Sequence, residues 1–326
     1  METKDLSIQN VAVIGMGALG IMFGDMIARA LPSGSVTVVA DAARVTRYRA
    51  SRVTANDHLC DFLYATPEEF LARNGGCTAD LILFGVKAAG LKDAIELARP
   101  LADEHTILVS LLNGISSEEY IAEGLGRGHV IYCVAQQMAA GRVGTAVHYR
   151  NKGVLCLGVP DSHPQDQSAL QKLLAFFEAC DVPYVAEPDI LRRLWCKWMF
   201  NVGINQTVMV YEGKFADAQK PGPLRDEFLA AMREVVALAQ KSGIDVSEKD
   251  VEEYVQILDQ LDPEGMPSMR QDGLAKRFSE VDMFAGEVCR RGRKLGVPTP
   301  VNASLLERVK AVESTYKTQR KQIVAR

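Results

Sequence analysis

Two sets of residues in this 326-residue chain have types and spacings that can do chemistry. In the run LWCKWMFNVGIN, Lys197 is the single charge beside Trp195, Trp198, Met199 and Phe200. An ammonium enclosed in this way loses solvation, which lowers its pKa and makes it a better proton donor near neutral pH. Asn201 and Asn205 follow at helical spacing, so the three polar groups share one side of a helix. A solvated helix face normally carries several charges; this one carries a lysine and two amides, the composition of a site. The second set is Gly15, Gly17 and Gly20, a G-x-G-x-x-G pattern. Its first glycine permits a tight turn, its second lets backbone approach a pyrophosphate, and its third lets a helix pack on a strand, with helix N-terminal amides facing the anion. Gly15, Gly17, Ala18, Leu19 and Gly20 are therefore the expected dinucleotide loop, against the plainer reading of a glycine turn that holds nothing.

The elements around each set decide which reading holds. NVAVI before the glycines reads as a strand and ALGIMFGDMIARAL after them as an amphipathic helix, the opening of a βαβ unit. SVTVVA, ADLILFGV and HTILVSLL read as further strands, with helices such as PEEFLARN and GLKDAIELARP between them, which predicts a parallel sheet covered on both faces. A more antiparallel patch is expected from HVIYCVAQQMAA to GVLCLGVP. Asp41 falls at the end of the second strand, where a carboxylate accepts hydrogen bonds from a ribose diol and repels a 2′-phosphate, favouring NAD. Arg44 and Arg47 follow closely and can hold a phosphate if Asp41 turns away. Beyond about residue 188 helical periodicity dominates DILRRLWCKWMFNVGINQTVMVY, LRDEFLAAMREVVALAQKSG and GLAKRFSEVDMFAGEVCRRGRKLG. The expected architecture is thus an α/β, Rossmann-type parallel-sheet domain over residues 1–187, which binds the dinucleotide, and an all-α substrate and catalytic domain over 188–326. PEGMPSM is expected to be a proline-glycine loop between helices, and in the loop segment PSMRQD, before the third long helix, Ser268, Gln271 and Asp272 can serve as helix caps. From spacing alone Glu280 and Asp282 are ordinary surface carboxylates.

Composition narrows the partners. With 48% hydrophobic and 24% charged residues the chain can bury a sizeable core. It has no apolar run of the roughly eighteen residues that a membrane helix needs, and METKDLSIQN lacks the layout of a signal peptide, so the expectation is a cytoplasmic protein. A net charge of −4, with scattered basic residues, argues against nucleic acid. The seven cysteines form no C-x-x-C pair and read as reduced buried thiols, and the five histidines lack metal-ligand spacing, so no metal is expected.

Taken in order, GMGALG, VKA at Val86 to Ala88, NG at Asn113 and Gly114, VHYRNKGVLCLG, LWCKWMFNVGIN, PSMRQD, SEVD and GVPTPVN give the chain a resemblance to the ketopantoate reductase (2-dehydropantoate 2-reductase) family over nearly its whole length. The resemblance implies reduction of the 2-keto group of 2-dehydropantoate to (R)-pantoate with NADPH, on the way to pantothenate and coenzyme A. It implies Lys197 as general acid, Glu280 as the catalytic partner that positions substrate and acid, Asn201, Asn205 and Ser268 at the substrate, and Lys87 and Asn113 at the cofactor, Asn113 also at the substrate. Two departures stand out. Asp41 occupies the place of the family's usual arginine, which suggests NADH, and QTVMVYEGKFAD replaces the usual run after Asn205. Reduction of another branched keto or hydroxy acid on the same fold therefore stays open, as does a non-catalytic dinucleotide sensor, although Lys197 and Glu280 together argue against the latter. A 3-hydroxyacid or glycerol-phosphate dehydrogenase is a third reading, against which PSMRQD and SEVD speak. A homodimer through the last helices is also open.

Overall fold

The computed structural model describes residues 7–324. The chain divides between Ile190 and Leu191 into two compact units. In the first, the strands are β1 (Val11–Ile14), β2 (Val36–Val39), β3 (Thr54–Ala55), β4 (His58–Leu59), β5 (Leu63–Ala65), β6 (Leu81–Phe84), β7 (Ile107–Ser110), β8 (His129–Gln136), β9 (Ala139–Val143), β10 (Ala146–Asn151), β11 (Val154–Gly158) and β12 (Tyr184–Ala186). The helices between them are α1 (Ala18–Ala30), α2 (Ala42–Arg49), α3 (Pro67–Arg73), α4 (Leu91–Ala98), α5 (Ser117–Leu125) and α6 (Gln167–Ala179). Eight strands form one sheet in the order β12-β11-β8-β7-β6-β1-β2-β5, and β4-β3-β10-β9 form a second. All neighbours from β5 to β8 are parallel, whereas β11 runs antiparallel to β8 as the sequence patch suggested.

Every residue of β1, β2, β6 and β7 is buried, which is why these strands read as continuous apolar runs and not as alternating ones. Their side chains still alternate between two cores. Val11 and Val13 of β1 join Ile21, Phe23 and Ile27 on one face, while Ala12 and Ile14 join Ile82, Phe84 and Ile95 on the other. α3 starts on a capping box, with Thr66 and Glu69 bonding each other's backbone and Pro67 in the first turn, so its entry is set locally. None of the seven cysteines is in a disulfide; six are buried, and Cys77, in the turn after α3, is exposed against expectation.

The second unit contains α7 (Ile190–Val210) apart from its first residue, α8 (Phe215–Gln219), α9 (Pro223–Lys241), α10 (Glu248–Gln260), α11 (Ser268–Leu274), α12 (Ala285–Leu295) and α13 (Pro300–Val324), with no strand among the described residues. α7 crosses α9 at Gly203, where a Cβ would stand 2.6 Å from the Phe228 ring. α12 packs on both α9 and α13. The long helical pattern from Gly273 to Gly296 does not form one helix: α11 ends in a Schellman motif with Lys276 in the left-handed region at φ 51. The Arg277 amide donates to the Asp272 carbonyl at 2.8 Å and the Lys276 amide to Gly273 at 3.0 Å. A short 3-10 turn, Val281–Met283, then leads into α12. The periodicity missed this break because a lysine, not a glycine, takes the left-handed position.

Candidate active site

In the first unit the candidate residues stand on the C-terminal edge of the parallel sheet. Ile14, Val39 and Phe84 pair in register, as do Phe84 and Ser110, so the loops after β1, β2, β6 and β7 leave the sheet at one edge. Those loops carry Gly15, Asp41, Lys87 and Asn113. The chain also reverses its direction of growth between β1 and β6, and such a switch point opens a crevice where ligands bind. The glycines are there because backbone crosses backbone. Gly15 has φ 108, a Cβ on Gly17 would lie 2.5 Å from the Gly85 carbonyl oxygen, and one on Gly20 would lie 2.3 Å from that of Gly15. The Gly17 amide donates to Gly85 at 3.2 Å, and no side chain caps the first turn of α1, so the turn's amides meet whatever approaches the loop. The cradle fits a dinucleotide pyrophosphate.

Around the cradle the structure adds detail. Asp41 is the N-cap of α2: its Oδ1 accepts from the Arg44 amide at 2.8 Å, and its Oδ2 lies 3.4 Å from Arg44 Nε. Carboxylate and guanidinium are both half exposed, and Arg44 is drawn toward Asp41. Arg47 stacks over Tyr48 at 5.6 Å from the ring centre. Lys87 is exposed ahead of a 3-10 turn, and Asn113 is half-buried beside Gly114, which has φ 106. Sequence reading passed over Arg142. From β9 its guanidinium donates to the carbonyl of Met16 inside the glycine loop and, through Nε, to Gly144 at 2.8 Å. Pairing between positions so far apart leaves no trace in a linear pattern.

In the second unit a separate group of candidate residues lies on α7, which is apolar on most of its circumference. Trp195, Trp198 and Met199 are buried and Lys197 is half-buried among them. Gly203, pressed against α9, lies roughly opposite the polar stripe, so that close crossing orients Lys197, Asn201 and Asn205 away from α9. Asn205, 4% exposed, is the hub: its Nδ2 donates to Asn201 Oδ1 at 3.3 Å, and its Oδ1 accepts from Ser268 Oγ at 3.0 Å and from the Met269 amide at 3.1 Å. Ser268 is therefore not a loop residue or a cap but the first residue of α11, exposed, with its hydroxyl turned to Asn205. Of the other caps weighed, Gln271 bonds the Met266 carbonyl and Asp272 is buried and paired with Arg277. Glu280 stands half-buried at the start of the 3-10 turn, and that turn is tied to α7 by Trp198 Nε1 donating to Met283 at 2.9 Å. Asp282 is exposed and pairs with Lys310 at 2.8 Å.

Beneath the stripe lies a buried network that sequence reading saw only as an unusual run. Gln206, fully buried, donates to Val202 and Asn302 and accepts from the Ala285 amide at 3.0 Å, which satisfies an orphan donor at the start of α12. Glu234 of α9 accepts from the Val301 and Asn302 amides at 2.7 and 2.9 Å, doing the same for α13. Thr207 bonds back to Gly203 at 2.8 Å. Polar residues in an apolar helix were the available signal, but only the fold tells which of them face a site and which face the core. Among the described residues no group of histidine, cysteine and carboxylate side chains is placed to hold a metal, and no helix is long and apolar enough to cross a membrane.

Residues 11–162 match the family model "Ketopantoate reductase PanE/ApbA" and residues 189–313 its C-terminal counterpart. A 2-dehydropantoate 2-reductase of Shigella flexneri is 29% identical over 261 residues, 78% of this chain and 79% of that one. The crystal structure of a PanE/ApbA family ketopantoate reductase from Ralstonia eutropha JMP134 superposes with a TM-score of 0.78 at 25% identity, covering 94% of this chain and 99% of that one. A D-mandelate dehydrogenase, solved with NADH and anilino(oxo)acetate, has the same fold at a TM-score of 0.81 and 23% identity, over 94% and 99% of the two chains. Fold and matches together define an NAD(P)H-dependent oxidoreductase that acts on the keto group of a small molecule. Its reaction is the ketopantoate reductase type of 2-keto acid reduction. The chain belongs to the ketopantoate reductase family.

Proposed function

We propose that the chain reduces 2-dehydropantoate to (R)-pantoate with Lys197 as general acid and NADH as the preferred reductant. The observation that carries the reading is the Asn205 hub, which gathers Asn201, Asn205 and Ser268 on the face of α7 that also bears Lys197. Bound reduced nicotinamide supplies hydride to the keto carbon. Negative charge then grows on the keto oxygen, and the Lys197 ammonium both neutralises it and delivers the proton. The Asn201 amide and the Ser268 hydroxyl hold the hydroxyl and carboxylate ends of the substrate without adding competing charge, and Asn205 fixes their orientation. Glu280 positions substrate and acid from its turn. Gly15, Gly17, Ala18, Leu19 and Gly20 hold the pyrophosphate, Lys87 and Asn113 the nicotinamide half, and Asp41 the adenosine ribose diol. In this reading residues 1–187 are the dinucleotide domain and 188–326 the substrate domain.

A different 2-keto acid is the second reading. It is favoured by the run after Asn205, where Gln206 turns into the core and leaves the family's usual pattern, and by the D-mandelate dehydrogenase likeness. The test is the fall in reduced-nicotinamide absorbance with 2-dehydropantoate and with phenylglyoxylate, each with NADH and NADPH. Turnover of phenylglyoxylate alone would select the second reading, and turnover of neither would return weight to a non-catalytic sensor. Lys197→Ala should lower kcat by about 100-fold or more and leave the Kd for NADH within about twofold; loss of NADH binding instead would make the lysine structural. A homodimer is part of the same proposal, and sedimentation equilibrium reads it directly.

A further inference from the structure

Below the Asn113 turn lies a chain of buried polar groups that the reaction described above leaves unused. Glu118, in the first turn of α5, is 1% exposed, and its Oε2 accepts from Ser117 Oγ at 2.7 Å. Ser117 Oγ accepts in turn from Ser110 Oγ at 2.8 Å, and Ser110 Oγ accepts from the Leu112 amide at 3.3 Å. Ser110 and Ser117 are as buried as the carboxyl. Each hydroxyl has one proton, so an acceptor-only carboxylate at one end sets the direction of every bond up to Leu112, the residue before Asn113. Gly114, two residues beyond the Leu112 amide, takes φ 106, a left-handed step in the turn that follows.

We propose that Glu118 is a positioning residue for the cofactor-facing turn at Asn113 and Gly114, acting through Ser117 and Ser110. The proposal rests on the reading that this edge of the sheet binds the dinucleotide. With Glu118 ionised the three bonds are aligned and charge-assisted, and the turn is held; with Glu118 protonated the terminal acceptor weakens and the turn loosens. Burial pushes the carboxyl up to about 7, outweighing the Ser117 hydroxyl and the amides of Glu118 and Cys133, which favour the ionised form; Glu119 adds a smaller push upward. Ser110 of β7 reaches the carboxyl only through Ser117, the Cys133 backbone of β8 faces it, and α4 meets α5 through Ile95 at Gly124, so Glu119 is the charge acting on it.

The experiment is the Kd for NADH, read by nicotinamide fluorescence between pH 5.5 and 8.5, for the wild type, Glu118→Gln and Ser117→Ala. The wild-type protein should bind about fivefold more tightly above pH 7 than below it, and both variants should lose that dependence. A flat wild-type profile, or a Glu118→Gln profile that follows the wild type, would overturn the proposal. If Glu118→Gln does not fold, Ser117→Ala, which keeps the carboxyl and breaks the chain of bonds, decides in its place: a profile that follows the wild type overturns the proposal. Failure of the wild type to bind NADH or NADPH at any pH would instead overturn the cofactor reading, and this proposal with it.

Discussion

Replacing Glu118 by glutamine removes a titrating carboxyl and keeps its shape, so its effect on stability can be worked out from the structure. The carboxyl is completely buried and is pushed from an ordinary value of 4.5 to about 7, chiefly by loss of water. The folded state therefore binds this proton more tightly than the unfolded one. The associated stabilisation is complete below about pH 4.5 and is lost as the pH rises through 7. Across that window the gap amounts to about 3 kcal/mol, at 1.36 kcal/mol per pH unit. Glutamine does not titrate, so any fixed cost of its buried amide is the same at every pH and drops out of the comparison. The Tm of Glu118→Gln minus that of the wild type should become more positive by roughly 6–12 °C between pH 5 and pH 8. Circular-dichroism melts at pH 5, 6.5 and 8 read it. A difference that stays constant, or falls with rising pH, would show that Glu118 is not held in a dry site and would refute the reasoning.

Three further outcomes follow from the geometry. Gly20→Ala drives a methyl to 2.3 Å from the Gly15 carbonyl, so α1 must move off β1; a loss of about 2 kcal/mol in stability and at least tenfold weaker binding of ADP-ribose are expected, and an unchanged Kd would count against the cradle. Gln206→Ala leaves the Ala285 amide and the Asn302 side chain short of partners and opens a cavity, and should cost about 3–5 kcal/mol in urea unfolding; a loss under about 1 kcal/mol would mean that the network is not structural. Asp41→Ala should shift the NADPH-to-NADH ratio of kcat/KM toward NADPH by about tenfold while costing α2 about 1 kcal/mol of capping, and an unmoved ratio would place the ribose elsewhere.

The parts of the site that could be read from the linear chain are those in which cause and effect lie within a few residues. A glycine loop between an apolar strand and a helix, a carboxylate just after the next strand, and a lysine with two asparagines at fourfold spacing all state their geometry locally. The parallel sheet was legible for a similar reason, since strands covered on both faces must be apolar at every position, as β1, β2, β6 and β7 are. The end of α11 was not legible, because its left-handed residue is Lys276 and the Schellman bonds that reward that conformation are visible only in space.

Residue types and short spacings in the sequence thus determined the two-unit plan, the glycine loop between β1 and α1 and the helix that carries Lys197. Tertiary structure decided what each buried polar group faces. Asn205 turns to Ser268, 63 positions away, while its neighbour Gln206 turns to Asn302, 96 positions away. Arg142 reaches Met16 from a separate sheet, and Glu118 is dry enough to hold its proton near neutral pH. Hydrogen bonds and desolvation depend on distance in space, and a chain read in order specifies distance only between near neighbours.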